Sequence, residues 1–260
     1  MLMDMKKINL GILAVVIAAF AAVLVFNRPL TDTEAGDNNA NAEQPVATGN
    51  ENESPAGTGT PNNAPVAAKA LLSVPFVAQA PNANWDDPRQ QDGCEEASLI
   101  MAYAWATGAT AINKNEAEKT IIAMSEFEKA EYGNYLDLNA QDTAKLMKDY
   151  FKYDKTRVQL SVTISDIKKE LSAGNLVIVP ANGKRLNNPN FTSGGPDTHM
   201  LVIKGYDDAK KQVITNDPGT RNGNGYMYSY TTIMNAMVNY PSGYHEDQTG
   251  QPNAMIVVMK

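Results

Sequence analysis

The chain has 260 residues, 22 Lys and Arg against 29 Asp and Glu, two histidines and one cysteine, for a net charge of −7. No run of basic residues exceeds two, so nucleic acid is not an expected partner, and a single cysteine excludes an internal disulfide. Three compositional zones follow one another: 1–27, 28–70 and 71–260.

In the first zone Lys6 and Lys7 precede an uncharged, mostly apolar run from Leu10 to Phe26. That is the charge pattern of a secretory signal or an N-terminal transmembrane anchor. No small-residue cleavage site stands out before Asn27-Arg28-Pro29, so an uncleaved anchor is the favoured expectation, with secretion the outcome if the segment is cleaved. The membrane is expected to be a partner through this segment only, and the rest of the chain to be extracytoplasmic. Residues 28–70 are rich in Asn, Ala, Thr, Gly, Pro and Glu and carry no aromatic residue, the composition of a disordered low-complexity linker.

The third zone has the apolar periodicity of a folded domain. A short apolar strand is expected over 71–78, then a polar loop with Pro81, Trp85 and Pro88, then a helix that starts at Cys94 and carries Ala97, Ile100, Met101 and Ala104. Two or three more helices are expected between Asn113 and Tyr150, broken at Gly133-Asn134. Thr163 with Asp166 three residues on resembles a capping box and starts a surface helix to Ser172. After it the period changes, with strands expected at 175–180, 199–205, 212–216 and 254–259. Helices first and strands afterwards indicate an α+β domain, a helical half followed by an antiparallel sheet half.

Cys94 stands where a glycine-bearing loop enters a helix, and helix N-termini favour thiolate over thiol. His199 opens an apolar strand that turns near Asp208 and returns to Asn216-Asp217. A turn centred on Asp208 pairs residues whose numbers sum to 416, which sets Ile203 opposite Val213 and His199 opposite Asp217. Nucleophile, base and orienting acid are then all present. Read singly, each residue has an ordinary structural role: a packed cysteine, a strand-end histidine, a turn aspartate before Pro218. His245, in a polar stretch, reads as an exposed loop residue. Trp85 and Trp105 read as core, and the loop 182–198 as one lip of a substrate groove.

The segments Val74-Pro75-Phe76-Val77-Ala78-Gln79, Gly93-Cys94-Glu95-Glu96-Ala97-Ser98, His199 with Gly205-Tyr206-Asp207, and Asn216-Asp217-Pro218 resemble the double-glycine (bacteriocin-leader) peptidase-like proteins of the papain-like superfamily. The resemblance implies a papain-like cysteine peptidase fold in which Cys94 attacks an acyl carbon, His199 moves the proton and Asp217 orients His199. It also implies an upstream glutamine that helps hold the oxyanion. Gln79 is the choice, with Gln90 and Gln91 as rivals. Two departures stand against the family pattern: Glu95 and Glu96 replace the glycine that often follows the cysteine, and no transporter or nucleotide-binding part accompanies the domain.

The expected function is therefore a membrane-anchored extracytoplasmic cysteine peptidase or amidase that acts on a peptide or protein substrate and needs no cofactor. A catalytically weak peptide-binding module on the same fold is the alternative. A metal site built from Cys94, His199 and Asp217 is disfavoured, because that ligand set lacks any close spacing signature.

Overall fold

The computed structural model describes residues 66–260. The expectations for 1–27 and for most of 28–70 lie outside the described residues. Among the described residues no helix is long and apolar enough to cross a membrane.

Four helices come first: α1 (Pro88–Gln91), α2 (Cys94–Ala106), α3 (Lys114–Glu131) and α4 (Ala140–Phe151). Asn113 and Asn139 cap α3 and α4 by accepting hydrogen bonds from first-turn N–H groups. The sheet half follows, with β2 (Thr156–Leu160), α5 (Ile164–Ser172), β3 (Leu176–Ala181), β4 (His199–Asp207), β5 (Gln212–Asn216), β6 (Asn224–Ser229), α6 (Tyr230–Ala236) and β7 (Ala254–Val258). The Thr163/Asp166 capping box at the start of α5 is fully formed. The α+β reading holds.

A further strand, β1 (Lys69–Leu71), precedes the helices and pairs with β4 from Asp207 to Gly205. The folded part thus starts before Leu71, and Lys69 and Ala70 belong to the sheet instead of the linker. The strand expected over 71–78 ends at Leu71. Pro75 has no N–H to give a ladder, and the segment beyond is held by single bonds instead: Leu72 N–H to the Lys204 carbonyl, and the Asn216 side-chain amide to the carbonyls of Val74 and Pro75. Both β2 and β6 also went unread, since charged and polar residues interrupt Thr156–Leu160 and Asn224–Ser229 carries glycine and few aliphatic side chains.

All strands pair antiparallel, in the order β2-β7-β3-β4-β5-β6. The central strands are buried on both faces, which explains their unbroken apolar runs. Leu176, Ile178, Met200, Val202 and Ile256 pack with Leu99, Ile100, Met124 and Leu146 from the helices on one face. Val177, Val179, Leu201, Ile203 and Val257 pack with Ile167, Leu171 and Ile233 on the other.

The β4–β5 register differs from the one expected. Val202 faces Asn216 and Ile203 faces Thr215, a sum of 418; beyond a bulge between Ile203 and Gly205, Tyr206 faces Val213. The turn lies further along the chain because Asp207 accepts hydrogen bonds from Ala209 and Lys210 N–H, which builds the reversal after Asp207. His199 is therefore not directly opposite Asp217.

Glu96 of α2 and Glu128 of α3 are both buried. Burial, then the nearby Glu128 and Glu95, pushes the Glu96 carboxyl well up; burial, then Glu95, raises Glu128 to about 8 from an ordinary 4.5, against its hydrogen bond with Glu96. A carboxyl whose folded-state pKa is raised stabilises the fold most below about 4.5 and loses that stabilisation as pH climbs toward about 8. In urea unfolding at pH 5, 7 and 9, the wild type should weaken across this window by on the order of 1 kcal/mol per pH unit, and Glu128→Gln by distinctly less. Parallel curves for the two proteins would contradict this.

Candidate active site

A groove of about 880 Å³ runs along the end of the sheet. Phe76, Gln79 and Trp85 from the segment before α1, Phe191 and Pro196 from the loop before β4, and His199 and Gly219 line it. The loop 182–198 is thus a lip of the groove, as the sequence suggests. Trp105 is core, whereas Trp85 is exposed and lines the groove, contrary to expectation.

His199 and Asp217 meet although they are not directly paired. His199 Nε2 lies 2.8 Å from Asp217 Oδ1, and both side chains are fully buried. Asp217 Oδ1 also accepts from Gly219 N–H at 3.0 Å. Its Oδ2 accepts from the Tyr228 hydroxyl at 2.5 Å and from Asn188 Nδ2 at 3.5 Å. Burial alone would raise the Asp217 pKa; the imidazole and these donors outweigh it and hold the carboxyl below its ordinary 3.8. Asp217 is then an ionised acceptor, so Nε2 carries the proton and Nδ1 is left as the basic nitrogen. Burial and Asp217 push the Tyr228 hydroxyl far up, so it stays a donor.

The ring has two further supports. Phe191 meets it edge to face with centroids 5.4 Å apart. Gly219 lies so close that a Cβ there would sit 2.9 Å from His199 Cε1 and 2.9 Å from Phe191 Cε1. Asn188, Phe191, Gly219 and Tyr228 are site residues that sequence reasoning missed. Only Gly219, directly after the Asp217-Pro218 turn, carried a signal in the sequence.

Cys94 is the first residue of α2, as expected, behind Gly93, whose Cβ-free backbone passes Arg89 and Ile121 too closely for a side chain. The thiol is buried, and its Sγ donates to Glu95 Oε2 at 2.9 Å. Among the described residues no hydrogen bond joins Sγ to His199. Burial, then Glu95, Asp137 and Glu96, push the thiol well above its ordinary 9.0, the reverse of the helix-terminus effect expected. Loss of water around the thiol is the largest cause, and the neighbouring acids add to it.

Glu95 is itself buried. Its Oε1 accepts from Leu138 N–H and from the Tyr240 hydroxyl at 2.8 Å, and that hydroxyl lies 3.3 Å from the His199 carbonyl. Burial and Asp137 raise Glu95 to about 7, against the hydrogen bonds from Cys94 and Tyr240.

Gln79 is buried in the groove wall, with Nε2 donating to the carbonyls of Gln90 at 3.1 Å and Gln91 at 2.7 Å. Both of its N–H bonds are thus used, and one has to break before it can reach an oxyanion. Gln90 is buried and donates to Glu118, and Gln91 donates to the Trp85 carbonyl. His245 is exposed, stacked on Tyr244 and away from the groove lining. Among the described residues no cluster of three or more His, Cys, Asp or Glu is arranged to hold a metal ion.

Two substitutions test these supports. Glu95→Gln keeps an acceptor for Leu138 and Tyr240 but removes the charge beside Sγ, so iodoacetamide alkylation at pH 8 should accelerate by about tenfold, as for a thiol pKa lowered by one unit. Unchanged alkylation would show that Glu95 does not restrain the thiol. Gly219→Ala forces a methyl against two rings, so it should destabilise the fold by about 1–3 kcal/mol and shift the His199 ring resonances by NMR; an unchanged midpoint with unshifted resonances would show that the ring has room.

A comparison with protein families matches residues 71–248 to the Peptidase_C39 like family. Among solved structures, a Bacillus anthracis protein described as a C39-like peptidase shares 20% identity, covering 74% of this chain and 98% of that one, with a TM-score of 0.44. No curated protein matches. Because the family match spans most of the chain and takes in Cys94, His199 and Asp217, the protein belongs to the C39-like peptidase family.

Proposed function

We propose that the protein is a cysteine peptidase or amidase that hydrolyses a peptide bond through Cys94, His199 and Asp217. The observation that carries this reading is the buried His199–Asp217 pair at the groove, with Nδ1 left basic and a cysteine at the start of the adjoining helix α2. With the thiol held protonated, reaction has to start by rotation of Sγ from Glu95 toward Nδ1. His199 Nδ1 takes the thiol proton as Sγ forms a bond to the substrate carbonyl carbon. The oxyanion is met by backbone N–H groups of the first turn of α2, where helix geometry leaves them unpaired, with Gln79 joining if it releases a carbonyl. Nδ1–H then passes its proton to the departing amine, and water hydrolyses the thioester by the same route.

The second reading, a peptide-binding module without turnover, is favoured by the Glu95 contact that holds the thiol in its unreactive form. Export and membrane anchoring rest on the Lys6-Lys7 charge pattern and the apolar run alone, and are part of the same proposal.

A library of internally quenched peptides, screened with the full chain, separates the two readings. Cys94→Ala and His199→Ala should each lower kcat/KM by at least about 10³, and Asp217→Asn by about 10² to 10⁴. Tyr228→Phe, which removes one donor to Asp217, should cost about tenfold. Peptides that bind equally well to wild type and Cys94→Ala, with no turnover in either, would establish the binding module instead.

A further inference from the structure

We propose that the groove selects acidic peptide segments, with Arg221 and Lys114 as the residues that recognise their carboxylates. This deepens the peptidase reading by naming a substrate class, and rests on it only in taking the groove as the place where the peptide lies. The whole chain is acidic, at −7, yet the groove lining contains Lys114 and Arg221 and no Asp or Glu side chain. The nearest buried acid, Asp217, is already saturated by His199, Gly219, Tyr228 and Asn188.

The two cations come from different elements, the N-terminus of α3 and the connection between β5 and β6. Both are exposed, and among the described residues neither has an ion-pair partner, whereas Arg89 and Arg157 are each bound to acids. Lys114 occupies the first position of α3, where the helix dipole disfavours a cation, so its charge adds to the positive end of the helix. Arg221 adjoins Asn222, whose side chain donates to Asn190 of the opposing loop at 2.9 Å and so fixes the turn against that lip. Phe76, Trp85 and Phe191 supply apolar surface in the same groove, which suits apolar side chains interspersed with the acids.

Binding is measured on the full chain carrying Cys94→Ala, by fluorescence anisotropy with two labelled short peptides that share an apolar centre and differ in having glutamates or lysines on the flanks. At about 20 mM salt the glutamate peptide should bind about tenfold more tightly than the lysine peptide, and about 0.5 M salt should erase most of the difference. Arg221→Glu with Lys114→Glu should abolish or reverse the preference, with circular dichroism confirming the fold. Equal affinities, a preference that survives the double substitution, or no binding of either peptide would each overturn the proposal. Cleavage of the same peptides by the Cys94-containing chain is read separately. Preferential binding with no turnover of these peptides or of the quenched library sinks the peptidase reading and leaves acidic recognition standing, and cleavage without charge preference does the opposite.

Discussion

A carboxylate with no access to water must have its lone pairs filled by the protein, and Asp217 meets that demand from four directions. His199 reaches it from β4, Gly219 from its own turn, Tyr228 from β6 and Asn188 from the loop that becomes the groove lip. Removing any one donor from a buried charge typically costs more than the bond itself contributes, because the acceptor left behind remains desolvated. The position of the imidazole, the closeness of Gly219 and the seating of the loop all follow from this one constraint. It also fixes the tautomer, which decides which ring nitrogen is free for chemistry.

Around Cys94 the same low dielectric works the other way. Glu95, Glu96 and Glu128 lie buried, and among the described residues none of them has an ion-pair partner, so desolvation first and then repulsion from neighbouring acids favour their protonated forms and the protonated thiol. One buried acid is held ionised beside the base, and the others are held close to neutrality beside the nucleophile. The Tyr240 hydroxyl spans the two regions, between the Glu95 carboxyl and the backbone of His199.

What the sequence made legible were features with a local cause. The Thr163/Asp166 capping box, the start of α2 at Cys94 and the apolar runs of β3, β4, β5 and β7 each follow from a few neighbouring residues. The pairing of His199 with Asp217 was also legible, but for an incomplete reason: the register is displaced from the one expected and the two side chains meet diagonally. Asn188 and Tyr228 were invisible because their role depends on contacts 29 and 11 residues away that no local pattern encodes. Likewise the sign of the Cys94 shift depends first on how deeply the thiol itself is buried and then on the approach of Glu95 and Asp137, which residue spacing does not carry. Trp85 was misread because an aromatic side chain in a loop gives no sign of whether it faces the core or a groove.

The small strand β1 has a mechanical consequence. It clamps the chain to β4 through three paired residues, the Lys69–Asp207 ion pair at 3.3 Å and the Leu72 bond to Lys204, immediately before the segment that forms the Phe76 and Gln79 wall. A pull applied upstream of Val66 would load these bonds in shear before any strain reached the wall. The groove's shape is thereby insulated from traction on the N-terminal side, and its calibre is set within the domain itself.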